Sequence, residues 1–299
     1  MDTVQDAVRR LEQHKRQIRI AIVAHAAVYL AALALFCLRL HRAAAILAAA
    51  NLAWYFLVCR RMTGAYAQSA AAANLQFGLC AGLSDFTYDP KRGITAEQFR
   101  QWAMLPLAQD DNALLCRSHF SAREQDMTLE GGEITLHYPV DGAAREKFRF
   151  LSGTLLTARA ACHPEGDWLL LREELLEPGA QQAFLQQARY RPAVLPEPMA
   201  QGWRLYTRTE QTEMPRHLLR SVTALADKTA SLAALRLTQE GAAAFLNGRF
   251  YTGSRYPAAV PTAQRLQGNT LPERDAVWAW FRAVSRPGKE QDHVDASAI

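Results

Sequence analysis

Two apolar runs, 20–38 and 43–59, dominate the first sixty positions, separated only by Arg39, Leu40, His41 and Arg42. As helices they would rise about 28 Å and about 25 Å, near the hydrocarbon thickness of a bilayer. Neither run has a polar face, so the pattern predicts a two-helix transmembrane hairpin over 20–59. Ahead of it, Val4, Ala7, Val8, Leu11 and Ile18 recur at helical spacing, with Arg9, Arg10, Lys15 and Arg16 on the other faces. This predicts an amphipathic juxtamembrane helix over 1–19 that runs into the first span. The second run is the weaker, mostly alanine and carrying Asn51. Its recurrence of Ala45, Ala49 and Ala53 at i+4, matched by Ala27 and Ala31, predicts close packing of the two helices through small residues. His25 and Asn51 are the polar residues inside the runs, and the simpler of their two roles, a hydrogen bond across the pair, is preferred to an ion or proton pathway. A cleaved signal peptide fits poorly, because the first run is too long and charges intervene before Ala48-Ala49-Ala50. A soluble hairpin would need a polar face.

After a helix-prone connector over 60–84, the pattern changes. Asp89-Pro90 and Gly93 are turn chemistry, and Thr95 with Gln98 forms a capping box ahead of a short helix over 96–105. Period-two alternation then predicts strands over 133–140 and 147–161, followed by 168–171 and 202–207. Helical spacing predicts helices over 180–188, 215–226 and 273–284. Strands are expected at 232–238 and 249–255, with 242–246 a further candidate and Asn247-Gly248 as the hairpin turn. A loop is expected over 257–272 and a disordered tail over 286–299. Strands and helices mix without regular alternation, which predicts an α+β fold: a soluble antiparallel-sheet domain with packed helices over 85–285.

Charge adds orientation. The formal net charge is +5, and basic residues cluster before the first run and after the second, while the turn holds only Arg39 and Arg42. The positive-inside tendency then predicts a multi-pass protein with both termini cytoplasmic. Lys and Arg are not clustered as a nucleic-acid footprint requires. The five cysteines are odd in number, widely spaced and without a C-x-x-C, which fits a reducing compartment rather than a disulfide framework.

Candidate chemistry is thin. Cys116 and His119 have C-x2-H spacing, and His137 or Cys162-His163 would have to join from separate elements, so no metal site is assigned. Glu173, Glu174 and Glu177 with Asp167 would supply paired carboxylates, but their spacing reads more simply as a solvated helix face. There is no nucleophile elbow and no phosphate loop, so no catalytic and no cofactor-binding residue is assigned. Trp278, Trp280 and Phe281, with Arg274 and Arg282, form the one candidate membrane-surface contact, against the simpler reading that this helix packs on its own domain.

Three stretches carry a resemblance. FTYDPKRGITAEQF at 86–99, KFRFLSGTLLTARA at 147–160, and the segment from GWRLYTRTEQTEMPRHLL at 202 to LRLTQEGAAAFLNGRFY ending at 251 follow the order of the bacterial DUF3137 family, which the chain resembles over roughly 85–255. The family places two spans before its soluble part and has no established activity, so the resemblance implies a membrane-associated protein and no catalytic residues. Residues 106–130 depart from its pattern. The expectation is a non-enzymatic domain tethered to the membrane that binds a protein partner or anionic lipid headgroups; the alternative is a membrane-bound enzyme whose site forms only in the fold.

Overall fold

A computed structural model describes residues 3–110, 112–140, 147–160, 166–197, 199, 201–248, 260, 262–268 and 273–285. The chain divides into two units: 1–81 with 251–270, and 82–250 with 271–299.

The first unit is helical. Helix α1 (Val4–Cys37) is continuous through both the amphipathic segment and the first apolar run, opening on a Thr3/Asp6 capping box. One stripe runs along it in steps of three and four residues: Leu11, Lys15, Ile18 and Ala21 are buried, then His25, Val28, Ala32 and Leu35 follow on the same line. It ends at Arg39, whose positive φ of 65° lets Leu40 N–H donate to the Leu35 carbonyl at 2.9 Å, a Schellman-type stop. The chain returns as α2 (His41–Trp54), a π-helical turn (Tyr55–Cys59), α3 (Arg60–Asn74) and a second π-helical turn (Leu75–Leu79). The first π turn has a packing reason. Ala44 and Asn51, like Cys59 and Tyr66, are seven apart, close to two α turns, but Asn51 and Cys59 are eight apart; the wider turn absorbs the extra residue and keeps all four on the buried face.

The small-residue prediction needs correction. Ala27, Ala31, Ala45, Ala49 and Ala53 are exposed, while Ala21, Ala32 and Ala44 are buried. The face is set by the full three-four stripe and by its polar pair: Asn51 Oδ1 lies 2.9 Å from His25 Nδ1, and Asn51 Nδ2 donates to the His25 carbonyl at 3.1 Å. Away from this pair, Leu11 and Ile18 pack with Tyr66, Ala70, Ala73 and Leu266. Leu266 belongs to α7 (Ala263–Gly268), a short helix where a loop is expected from sequence.

Both helical stretches, Val4–Cys37 and His41–Leu79, are long and apolar enough to cross a membrane, the second the less apolar. Only 11% and 17% of their most apolar stretches are buried, which separates them from the core helices of a soluble protein.

The second unit is α+β. Nine strands form one open, wholly antiparallel sheet: β1 (Ser84–Asp89), β2 (Leu114–Glu124), β3 (Met127–Val140), β4 (Lys147–Arg159), β5 (Trp168–Arg172), β6 (Arg191–Pro192), β7 (Trp203–Thr207), β8 (Leu232–Thr238) and β9 (Gly241–Asn247), in the order β1-β2-β3-β4-β9-β8-β5-β7-β6. Four helices accompany it: α4 (Ala96–Trp102), α5 (Pro178–Gln187), α6 (Arg216–Lys228) and α8 (Arg274–Ser285). Phe99 and Trp102 of α4 and Ala180 and Phe184 of α5 share a core with Leu155, Leu169, Leu171, Ala234 and Phe245 on one face of the sheet. The other parity of the same strands, including Leu156, Leu170, Leu235 and Leu246, is buried too, and α8 packs with α6 and β9. A sheet buried on both sides explains why β5, β8 and β9 read as apolar runs and not as alternation.

The β8–β9 hairpin corrects the expected turn. Thr238 pairs with Gly241, so the chain reverses at Gln239-Glu240, where the Glu240 N–H donates to Thr238 Oγ1 at 3.1 Å. A side-chain-stabilised turn does here what Asn-Gly does elsewhere. Asn247-Gly248 instead closes β9, and the strand expected at 249–255 lies outside the described residues, as does the tail over 286–299.

Candidate functional site

The end of the α4/α5 face of the sheet is polar, and its register builds a cleft. Arg159 of β4 pairs with Gly241 of β9, which pairs with Thr238 of β8. Two rows inward, and so on the same face, Arg236 pairs with Leu169, which pairs with Tyr206. Asp167 and Arg208 continue past the ends of β5 and β7, where the Arg208 N–H donates to the Asp167 carbonyl at 3.2 Å. Each of Arg159, Asp167, Arg208 and Arg236 shares parity with core residues on its own strand, so the side chains emerge on one side at the border of the core. Gly241, between Arg159 and Thr238, contributes no side chain. The resulting cleft holds about 420 Å³ and is lined by these groups together with Gln101, Thr209 and Glu240.

Arg236 is the centre of the arrangement. It is 1% exposed and sits in an otherwise apolar strand. Its charge is held by an ion pair with Asp167, and its donors are spread over the carbonyls of Trp102 (Nε, 2.9 Å), Trp168 (Nη1, 3.1 Å) and Leu237 (Nη1, 3.3 Å). A guanidinium with a carboxylate and several carbonyls around it is a buried charge that is satisfied, the condition under which burial is tolerated. Tyr190 joins it to a second cation: its ring centroid is 5.1 Å from the Arg236 guanidinium carbon and 4.6 Å from that of Arg208. Burial pushes the Tyr190 hydroxyl well above its ordinary value, against the opposing pull of both arginines, so it stays a neutral donor to the Ala103 carbonyl at 2.8 Å.

Arg208 is fixed but not consumed. Its Nε donates to the Ala188 carbonyl at 2.8 Å, and no carboxylate within 4.0 Å pairs with it among the described residues. Arg159 is exposed, and its side chain engages no hydrogen bond or ion pair among them. Three guanidiniums therefore face two carboxylates, one of which, Asp167, is already committed to Arg236.

The residues singled out from sequence are dispersed. Trp278, Trp280 and Phe281 are 4%, 2% and 0% exposed, so the aromatic stripe of α8 packs inward and is not presented to a bilayer; the stripe at helical spacing is a core stripe. Arg282 pairs with Glu124 at 2.9 Å and Arg274 with Asp275 at 3.1 Å. The acidic group does not converge either. Glu173 pairs with Arg204 and Glu177 with Arg149, and 173–176 is a turn where a helix face is expected from sequence. No group of three His, Cys, Asp or Glu suited to a metal occurs among the described residues, and Cys162-His163 lies outside them. Cys116 sits against Gly93 and Gly132, where burial pushes its thiol up to about 11, an environment for an inert thiol.

His119, in the bulge of β2, has its imidazole held below the ordinary value of 6.5 by burial. Folding thus favours the neutral ring, while the unfolded chain takes up its proton at the ordinary value. The contribution is complete above about pH 6.5 and is lost as the pH falls toward the folded value. Urea midpoints measured on either side of that range should fall less on acidification in His119→Gln than in the natural sequence.

No family model and no curated protein matches the chain. Among solved structures it is similar to the mycobacterial trehalose monomycolate transport factor A, TtfA, at 7% identity and a TM-score of 0.32, over 74% of this chain and 99% of that one. So loose an overlap leaves the site to be read from this chain's own residues. The signal for that site is present in the sequence as one charge in an apolar strand, LAALRLT at 232–238, which alternation-based reading passes over.

Proposed function

We propose that this chain is a membrane-anchored binding protein, held in a bacterial inner membrane by the α1–α2 hairpin with both termini cytoplasmic, whose sheet unit takes an anionic ligand in the arginine cleft. One observation carries the anchoring. Of the eighteen exposed large apolar side chains among the described residues, fourteen lie between positions 20 and 57, among them Val23 at 67%, Leu30 at 68% and Ile46 at 70%. Leaving such side chains in water forgoes about 1.5–3 kcal/mol each, whereas in hydrocarbon they are at home. The basic residues before α1's apolar half and at Arg60 and Arg61 support the orientation. The resemblance to the DUF3137 family is consistent with two spans ahead of a soluble part.

The charge of the cleft favours a ligand over the protein partner left open by sequence. Its uncommitted charges are two guanidiniums, Arg159 and Arg208, against one exposed carboxylate, Glu240, while Asp167 is paired. Binding needs only such a field, and anchoring raises the concentration of anything else confined to the membrane layer. The chain should remain with membranes after an alkaline carbonate wash, and a C-terminal green fluorescent protein should fluoresce while a C-terminal alkaline phosphatase stays inactive. Recovery in the soluble fraction would remove the anchor, and an active phosphatase would invert the orientation.

A further inference from the structure

The arginine cleft has a neighbour. A second cavity, of about 340 Å³, lies against α5 and the segment after α4, with Ala103, Leu105, Leu107, Ala183 and Phe184 among its walls. Arg208 lines both cavities. So does the end of α4, where Gln101 and Trp102 face the polar cavity and Arg100 and Ala103 the apolar one. The two spaces therefore adjoin, with a guanidinium fixed at their junction by the Ala188 carbonyl and the Tyr190 ring. One side offers Arg159 and Arg208, which form no ion pair among the described residues; the other offers alkyl and aromatic walls.

We infer that the two cavities form one binding site for a single-chain anionic amphiphile, its phosphate or carboxylate head between Arg208 and Arg159 and its alkyl chain along Leu105 and Phe184. This rests on the binding function proposed above and names the class of ligand. The head would take the Arg208 and Arg159 Nη donors, which have no partner among the described residues, as charge-assisted bonds. Asp167 keeps Arg236 in place and the Arg236 guanidinium stacks against the Tyr190 ring that also meets Arg208, so both are positioning residues. The chain would turn at Arg208 from the polar to the apolar side. An oxyanion without an alkyl chain fills half of the site, and a neutral amphiphile leaves the guanidiniums uncompensated.

The test uses the full chain in phosphatidylcholine nanodiscs, with radiolabelled monododecyl phosphate as probe and empty discs subtracted. Saturable binding is expected. Arg159→Gln and Arg208→Gln should each weaken it about tenfold, the loss of a charge-assisted contact. Arg159→Gln is the cleaner variant because it removes no side-chain bond among the described residues. Ala183→Trp, an exposed helix position that fills the apolar cavity, should weaken the probe while leaving displacement by inorganic phosphate unchanged. Inorganic phosphate alone should bind about a hundredfold more weakly or worse, since it buries no alkyl chain. If phosphate binds as tightly as the probe, or Ala183→Trp has no effect, the amphiphile is wrong and the anion-binding function stands. If dodecyl maltoside competes as well as the phosphate, or both arginine variants bind as the natural sequence does, the anion-binding function falls with it.

Discussion

Arg236→Met should destabilise the sheet unit by about 3–4 kcal/mol, the cost of stranding one partner of a buried ion pair, and should lower its melting temperature by about 6–16 °C. Methionine fits the volume of the stem but donates nothing. Asp167 would lose its cation, and the carbonyls of Trp102, Trp168 and Leu237 would lose a shared donor. Arg236→Lys should fall between, because an ammonium supplies a point charge but not the fork that reaches Trp102 and Asp167 from different nitrogens. The deciding measurement is the double variant Arg236→Met, Asp167→Leu. With both charges gone it should recover most of the loss, since a buried pair replaced by apolar groups is close to neutral. A single Arg236→Met within about 1 kcal/mol of the natural sequence, the level of an ordinary exposed pair, would show that the buried guanidinium is not held as described.

How much of this was readable in advance differs by element, and the reason is where each element buries its surface. The long periodic features were plain: α1, the capping box at Thr95, and the alternation of β3, one side of which faces the core. Strands buried on both faces lack that signature. Ala242 to Leu246 is all apolar, so alternation says nothing, and its place between β4 and β8 follows only from the closed register on either side. Strand β2 was missed because Cys116, Arg117, Ser118 and His119 break the period where the strand bulges, and Ser118 has a φ of 55°. The cleft was out of reach for a different reason. Its residues come from α4, β4, β8 and the chain just outside β5 and β7, spread from 101 to 240, and no spacing rule links them. Only strand order brings Arg159 and Arg208 to one side. What the sequence did display was Arg236, a charge in a run with no room for one, and a charge in that position demands a partner and a reason.

Leu52→Arg should reverse the side of the membrane on which the sheet unit lies. Leu52 is 48% exposed on α2, beside Asn51, near the middle of the second apolar run. Exchanging leucine for arginine at the centre of a span raises its insertion free energy by about 3–4 kcal/mol, and this span is the less apolar of the two, with the His25 hydrogen bond compensating its one amide. In the orientation proposed above, the first span has no such weakness, so the N-terminus should stay cytoplasmic and α1 should still insert. With the second span failing, everything after it is carried across. A C-terminal alkaline phosphatase, expected to be silent in the natural sequence, should become active, and green fluorescent protein at the same position should go dark. Leu33→Arg, the same exchange at an exposed position in the first span, should leave both reporters closer to their original state. Adding Asn51→Leu to Leu52→Arg supplies apolar surface in the second span and should restore part of the cytoplasmic signal, although it breaks the bond to His25. If Leu52→Arg leaves the phosphatase silent, the second helix is not a span held in place by its apolar face, and the outward-facing side chains between 43 and 57 need another apolar surface to cover them.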